Sequence, residues 1–503
     1  MYMTKKDKIN RKQIYSDSLQ YVSASIFAQL IGLIRSVFIP IILTPIQLGT
    51  WNLMNVIIGY CANSHLGIIP GFNKKIPNLR KLGSKAEYHE LKDSVFWLNL
   101  ILGIITSLIL IIFSFTFTKS YSVELKIVAG VVILQNVYIY FLALFRADKK
   151  FSLVSKGIIC FSTFSSILVV LLSYLFSEPV FGALTGLIFG YLLVVVYWVT
   201  MGGYNITICL SWYQIRDAFK IGFPLITLSL LNIVLMSMDR WLILWKLSVE
   251  DLGFYALGII VCGMFWTIPI SIANVLYPRM IEQFASTGDR ITVGRLLLNP
   301  VRAIASSMVL FLSIAIILLP IIISCLLPKY NQSIPLLEIL VPGAYFLSIG
   351  TMTGNYIVSV NQQSWLIKIH FFAIVVGLLV DFSLLHAGFG VHGIAYGTIC
   401  CYATYSFGYL LLALRFATNG RKESVKIIIQ MGMLYVAMIT VLKFTNLFVL
   451  SSNTIFVELF YALIRFCIVI IFLSPFIWIL NRNSGVLSEI KLGLVKLREK
   501  RRN

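Results

Sequence analysis

The stretch at residues 221–245, IGFPLITLSLLNIVLMSMDRWLILW, carries only two ionisable side chains, Asp239 and Arg240, in a run long enough to cross a bilayer's hydrocarbon core. Runs of this kind recur along the chain, at roughly 19–43, 48–70, 94–118, 124–145, 155–176, 180–200, 221–245, 253–278, 301–327, 335–358, 366–386, 390–414, 425–446 and 456–480. Two of them, 48–70 and 335–358, are interrupted by polar residues or proline. A composition that is 59% hydrophobic and 12% charged leaves little material for a soluble domain. The expected fold class is therefore an all-α polytopic membrane protein with about 14 transmembrane helices.

The basic residues fall in alternate gaps. The N-terminus holds Lys5, Lys6, Lys8, Arg11 and Lys12, and the second gap holds Lys74, Lys75, Arg80, Lys81, Lys85 and Lys92. Later even-numbered gaps hold Arg146, Lys149 and Lys150, then Arg216 and Lys220, then Arg279, Arg290 and Arg295, then Arg415, Arg421, Lys422 and Lys426. Odd-numbered gaps hold little beyond Lys119, Lys126, Lys246, Lys329 and Lys443. The positive-inside rule puts both termini in the cytoplasm, with an even number of spans. The net charge of +21 is then mostly a topology signal and not a nucleic-acid footprint. The tail Lys496–Arg502 is also placed to touch anionic headgroups. The first run is too long for a cleavable signal peptide, and no small-residue cleavage site follows it.

Several function classes drop out. No GxxxxGK[ST] phosphate loop or strand-linked GxGxxG unit is present, which argues against nucleotide-driven pumping by this chain. HExxH and GxSxG are missing too, and the gaps are too short for an extramembrane catalytic platform. The eight cysteines show no CxxC spacing, so neither disulfides nor a metal site is expected, and no cofactor beyond a possible coupling ion, proton or sodium. Segment 204–219 mixes apolar and polar residues; an interfacial linker and a plain loop both fit it.

An internal repeat is legible. Leu48-Gly49-Thr50-Trp51 follows the first span and Leu252-Gly253-Phe254-Tyr255 the seventh, 204 residues later. Gly59 then matches Gly263, and Arg35 falls opposite Asp239. Six spans separate the copies, so the two halves share one orientation: a parallel repeat with a site between them. The expected layout is a first lobe at 1–203, a linker at 204–220, a second lobe at 221–416, and two further helices with a basic cytoplasmic tail at 417–503.

Charges within spans are costly and mark candidate functional sites. Arg35 lies about eight residues from the outer end of its span, roughly 12 Å deep at 1.5 Å per residue. Arg465 lies at similar depth, and neither has an acid one helical turn away. A partner helix, a water-filled cavity or an anionic substrate could each host them. Asp239 and Arg240 point about 100° apart, which fits structural pairing or gating equally. Lys246 sits at the mouth of the seventh span, where it can snorkel. Asp381 fits a counter-charge, or a cation or proton site. Pro40, Pro224 and Pro269 are candidate hinges, although Pro224 also suits the first turn of a helix.

The run Gly222-Phe223-Pro224, Ser237-Met238-Asp239-Arg240, Leu252-Gly253-Phe254-Tyr255 and Tyr277-Pro278-Arg279 resembles the opening of the second half of bacterial polysaccharide flippases. These are the Wzx-type translocases of O-antigen and capsule repeat units, in the multidrug/oligosaccharidyl-lipid/polysaccharide exporter superfamily. Gly32 to Trp51 resembles that family's first helix. The resemblance implies two six-helix lobes around a cavity opening alternately to each side of the bacterial inner membrane. It also implies an undecaprenyl-pyrophosphate-linked oligosaccharide as substrate, with a polymerase or ligase working alongside. Pyrophosphate needs cationic hosts, and the planar fork of Arg suits its oxygens; Arg35, Arg240 and Arg465, with Lys246, are the substrate-binding candidates. Asp239 and Asp381 are the candidates for coupling or gating. A lipid II flippase or a drug or organic-cation antiporter of the same fold are the alternatives, the latter favouring acids where deep Arg predominates here.

Overall fold

The computed structural model describes residues 5–116, 121–203, 206–418, 420–446 and 455–482. Lys119, the expected outer gap around 446–456 beyond Asn446 and the basic tail from Lys491 onward lie outside the described residues. Among the described residues every regular element is a helix. The first eight helices are α1 (Lys5–Ile42), α2 (Pro45–Cys61), α3 (Ile68–Leu82), α4 (Lys85–Thr116), α5 (Ser122–Ala147), α6 (Phe151–Leu175), α7 (Pro179–Gly202) and α8 (Trp212–Lys246). They are followed by α9 (Val249–Thr287), α10 (Arg290–Leu326), α11 (Ile334–Leu340), α12 (Gly343–Ser359), α13 (Ser364–His386), α14 (Gly390–Ala417), α15 (Arg421–Asn446) and α16 (Ile455–Asn481).

Twelve of these are long and apolar enough to cross a membrane, or thirteen if one bent pair counts as a span. The expected figure of about 14 differs at the two interrupted runs. At 335–358 a 3-10 turn and α11 meet α12 at 46°, with Pro342 at the break. At 48–70 the helix stops after Cys61, and the turn that follows ends in two left-handed residues, Leu66 (φ 48°) and Gly67 (φ 93°). The chain then restarts as the amphipathic α3.

The repeat has a counterpart at the helix starts. Thr44 caps α2 and Ser248 caps α9, each through a reciprocal capping box with Gln47 or Asp251. The two N-caps are 204 residues apart, the same offset as the Leu-Gly-x-aromatic motif.

The chain divides into two compact units, Met1–Arg240 and Trp241–Asn503. The first unit runs past residue 220 to Arg240, because the linker and most of α8 are stitched to it. Asp93 of α4 accepts hydrogen bonds from Thr207 Oγ1 (2.5 Å) and its amide (3.3 Å). Ser94 Oγ accepts from the Ser211 amide at 2.8 Å, and Trp97 donates to the Thr207 carbonyl at 2.9 Å. From Trp212 onward the segment is helical, and Pro224 lies inside α8 instead of at its first turn.

Glycines set the closest helix contacts. Gly182, Gly186 and Gly190 form a small-residue stripe on α7 facing α6. A Cβ at Gly182 would stand 2.1 Å from the Leu172 carbonyl oxygen, and one at Gly186 2.6 Å from the Val169 nitrogen. In the second unit Tyr345 Oη donates to the Met431 carbonyl (2.9 Å), pinning α15 to α12. Asn481 donates to Ser306 Oγ (2.7 Å), pinning α16 to α10.

Candidate functional site

Arg35 is half-buried on α1, which packs along α6. The glycine stripe draws α7 onto the same helix, and Tyr191 follows its last glycine. This brings the Tyr191 phenol within electrostatic reach of the Arg35 guanidinium. The Tyr191 ring packs 4.4 Å from Phe161 and 5.5 Å from Tyr138, centroid to centroid. Its hydroxyl meets the side chain of buried Gln135 on α5. Gln135 Oε1 has no hydrogen-bond partner among the described residues, so the amide engages the phenol through its nitrogen. No carboxylate pairs with Arg35 among the described residues. The first unit thus holds an uncompensated cation beside a phenol and an open acceptor. Such a set can host phosphate oxygens and hydroxyl donors.

Asp239 and Arg240 lie on α8, at the end of the first unit. Asp239 is buried, and its Oδ1 accepts the Arg240 backbone N–H at 2.8 Å. Arg240 is half-buried with Nε unbonded among the described residues. Lys246, at the end of α8, is exposed and lies over the Trp245 ring at 3.8 Å, the arrangement of a snorkelling cation. The three belong to one helix but not to one unit: Lys246 falls in the second.

Asp381 on α13 is fully buried against α14. The fit opposite it is close: a Cβ at Gly397 would stand 1.8 Å from Asp381 Oδ1, so the carboxylate would have to shift. Arg465 on α16 is half-buried, donates to Asn446 at the end of α15, and lies within electrostatic reach of Glu338 on α11. It therefore has a polar partner at the end of a neighbouring helix. Pro40 and Pro269 lie inside α1 and α9, as Pro224 does in α8. No group of three or more His, Cys, Asp or Glu with metal-site geometry occurs among the described residues.

Sequence reasoning missed the contacts that fix α8. Lys75 Nζ on α3 reaches Asp217 Oδ2 (2.5 Å) and Gln214 Oε1 (2.8 Å). Ser229 donates to Asn63 Oδ1 at 3.0 Å, and Ser237 Oγ meets Tyr60 Oη at 2.9 Å. Lys75 registered only as a topology charge, and the hydroxyls carried no signal at all. The family motif's Gly222 is explained here, because its Cα faces the Gly67 carbonyl and a Cβ would stand 1.7 Å from that oxygen.

Residues 78–284 match the family model described as "Polysaccharide biosynthesis protein". No curated protein matches the chain. Among solved structures, the fold is similar to a lipid II flippase MurJ in an inward closed conformation, with TM-score 0.61, 14% identity, and 92% of this chain and 99% of that chain covered. It is also similar to an inward-facing multidrug resistance MATE family transporter of the MOP superfamily, with TM-score 0.60, 15% identity, and 80% and 98% covered. A third is a point mutant of the Vibrio cholerae MATE transporter VcmN, with TM-score 0.53, 16% identity, and 81% and 97% covered. At these identities the structural likeness is one of fold.

Proposed function

We propose that this chain, whose family match and fold support its place among the polysaccharide flippases of the MOP superfamily, carries a lipid-linked oligosaccharide across the membrane by alternating access. The substrate class is an undecaprenyl-pyrophosphate-linked repeat unit destined for a surface polysaccharide. The membrane is the bacterial inner membrane, with both termini cytoplasmic as the charge pattern requires. The single observation that carries this reading is Arg35. It is a membrane-embedded guanidinium with no carboxylate partner among the described residues, set beside a phenol and an open amide oxygen.

A charged group in this setting needs a counter-ion to offset its desolvation. A pyrophosphate supplies one, and sugar hydroxyls supply donors to Gln135 Oε1. Arg240 is a second host for the headgroup, and Lys246 a first contact at the rim. Asp239 and Asp381 are the acids available to a coupling proton or sodium ion. Pro40, Pro224 and Pro269 are the places where α1, α8 and α9 can bend.

The test is translocation of a lipid-linked oligosaccharide in reconstituted vesicles, comparing the unmodified chain with Arg35→Ala and Arg465→Ala. Loss of flipping in Arg35→Ala, with an unchanged thermal midpoint, supports the reading. Unimpaired flipping in that variant overturns the headgroup role of Arg35. Arg465→Ala, whose guanidinium already has Asn446, is expected to lose stability before it loses transport. Lipid II serves as a competing substrate, and preference for it shifts the assignment to cell-wall precursor flipping. Efflux of an organic cation with no flipping overturns the proposal.

A further inference from the structure

A groove of about 820 Å³ lies over α14 within the second unit, between α13 and α15. Its apolar length is formed by Ile369, Leu411 and Val425. Gly408 lets Ile369 lie close on α14, where a Cβ would stand 2.7 Å from Ile369 Cγ2. One end is polar. Arg415 lines it, exposed and without a carboxylate partner among the described residues. Beside it Thr418 Oγ1 and Ser424 Oγ stand 2.8 Å apart. Trp365 edges the groove, with Lys368 Nζ over its ring at 4.6 Å.

The polar end faces the basic side of the topology. The connection out of α14 carries Arg415, Arg421, Lys422 and Lys426 against one acid, Glu423. Glu423 lies within electrostatic reach of Arg302 on α10, which engages its charge. The groove is thus an apolar trough ending in cations and hydroxyls at one leaflet, edged by an interfacial Trp. That is the pattern of an amphiphile with an anionic phosphate at that leaflet. A free phosphate would leave the trough unexplained, and a neutral lipid would leave Arg415 unexplained. None of Arg35, Asp239 or Arg240 lines it, so it is separate from the proposed headgroup site.

We propose that this groove binds an anionic glycerophospholipid of the basic-side leaflet. Its phosphate rests on Arg415 and the Thr418–Ser424 hydroxyls, and an acyl chain lies along Ile369, Leu411 and Val425. Bound lipid would brace α13, α14 and α15 without being cargo.

Trp365 makes the site visible. The full chain is reconstituted in phosphatidylcholine vesicles containing an equal fraction of brominated phosphatidylglycerol or brominated phosphatidylcholine. The difference in quenching between the unmodified chain and Trp365→Phe isolates Trp365 from the other tryptophans. The expected result is about fivefold stronger association of the anionic lipid, the effect of one basic group on an anionic headgroup. Arg415→Gln, at an exposed position that does not bear on folding, is expected to bring the two lipids to parity. Leu411→Phe, which fills the trough, is expected to weaken quenching by both. Equal quenching by the two lipids in the unmodified chain overturns the proposal, as does a preference that survives Arg415→Gln. Displacement of brominated phosphatidylglycerol by a polyprenyl phosphate, but not by unbrominated phosphatidylglycerol, overturns it in favour of the isoprenoid carrier.

Discussion

Lys75 Nζ stands 2.5 Å from Asp217 Oδ2, tying the amphipathic α3 to the first turns of α8. The chain between the lobes is therefore part of the first unit up to Arg240 rather than a loose tether. Since Asp217 is 43% exposed, solvent screening limits the pair to at most about 1 kcal/mol. We expect Lys75→Met to raise amide hydrogen exchange in residues 206–220 severalfold while the membrane core stays protected. Unchanged exchange there would mean that the Asp93 and Ser94 contacts hold the segment alone.

Gly222 meets a backbone carbonyl that has no freedom to turn aside, the Gly67 oxygen 1.7 Å from where a Cβ would sit. Gly222→Ala should therefore destabilise the first unit by about 1–3 kcal/mol, read as a lower thermal midpoint in detergent. Gly263, its neighbourhood open to 4 Å, is the control. Gly263→Ala should be neutral or stabilising, because Ala restricts the unfolded chain and favours helix. Equal losses in both variants would mean that the close approach at Gly67 is not what Gly222 is for.

Gly397 and Asp381 are predicted to couple. Gly397→Ala forces the Asp381 carboxylate from its place against α14, whereas Asp381→Ala removes the oxygen it would strike. The double variant should recover about 0.5–3 kcal/mol relative to additive losses. Strict additivity in a thermal-midpoint cycle would separate the two residues.

The capping boxes at Thr44 and Ser248 predict matched costs. Thr44→Ala and Ser248→Ala should each destabilise by about 0.5–2 kcal/mol, since each removes the acceptor for the third amide of its helix. A large cost at one and none at the other would show that the repeat has diverged in its energetics at these starts.

Asp289 sets a pH dependence outside the membrane spans. Its carboxylate caps α10 by accepting from the Ile291 and Thr292 amides and Thr292 Oγ1. Hydrogen bonding, first that from the Thr292 side chain, holds its pKa below the ordinary 3.8. The unfolded state binds the proton more readily, so the cap's contribution is complete above the ordinary value and is lost as pH falls through the lower folded value. Exchange at the α10 start should therefore rise on acidification below about 4. Asp289→Asn, which keeps an acceptor but does not titrate, should abolish that pH dependence; its persistence would assign the effect to another group.

The helical membrane architecture, the repeat and the weak places in it were all legible in the sequence. Each depends on local composition: apolar length, the sign of loop charge, and a motif recurring at one offset. Even the two doubtful runs, 48–70 and 335–358, proved to be the broken ones, because proline and polar residues interrupt a helix wherever it sits. The deep charges were legible as residues but not as partners. Arg35 meets Tyr191 only because a glycine stripe on α7 draws two helices together, and Arg465 on α16 meets Asn446 at the end of α15. The length of α8, the stitched linker and the groove over α14 came from tertiary structure alone. Hydrogen bonds between residues a hundred positions apart have no period in the chain, and a groove exists only between helices already packed. Local patterning decides which segments enter the membrane, while close packing decides which side chains meet there.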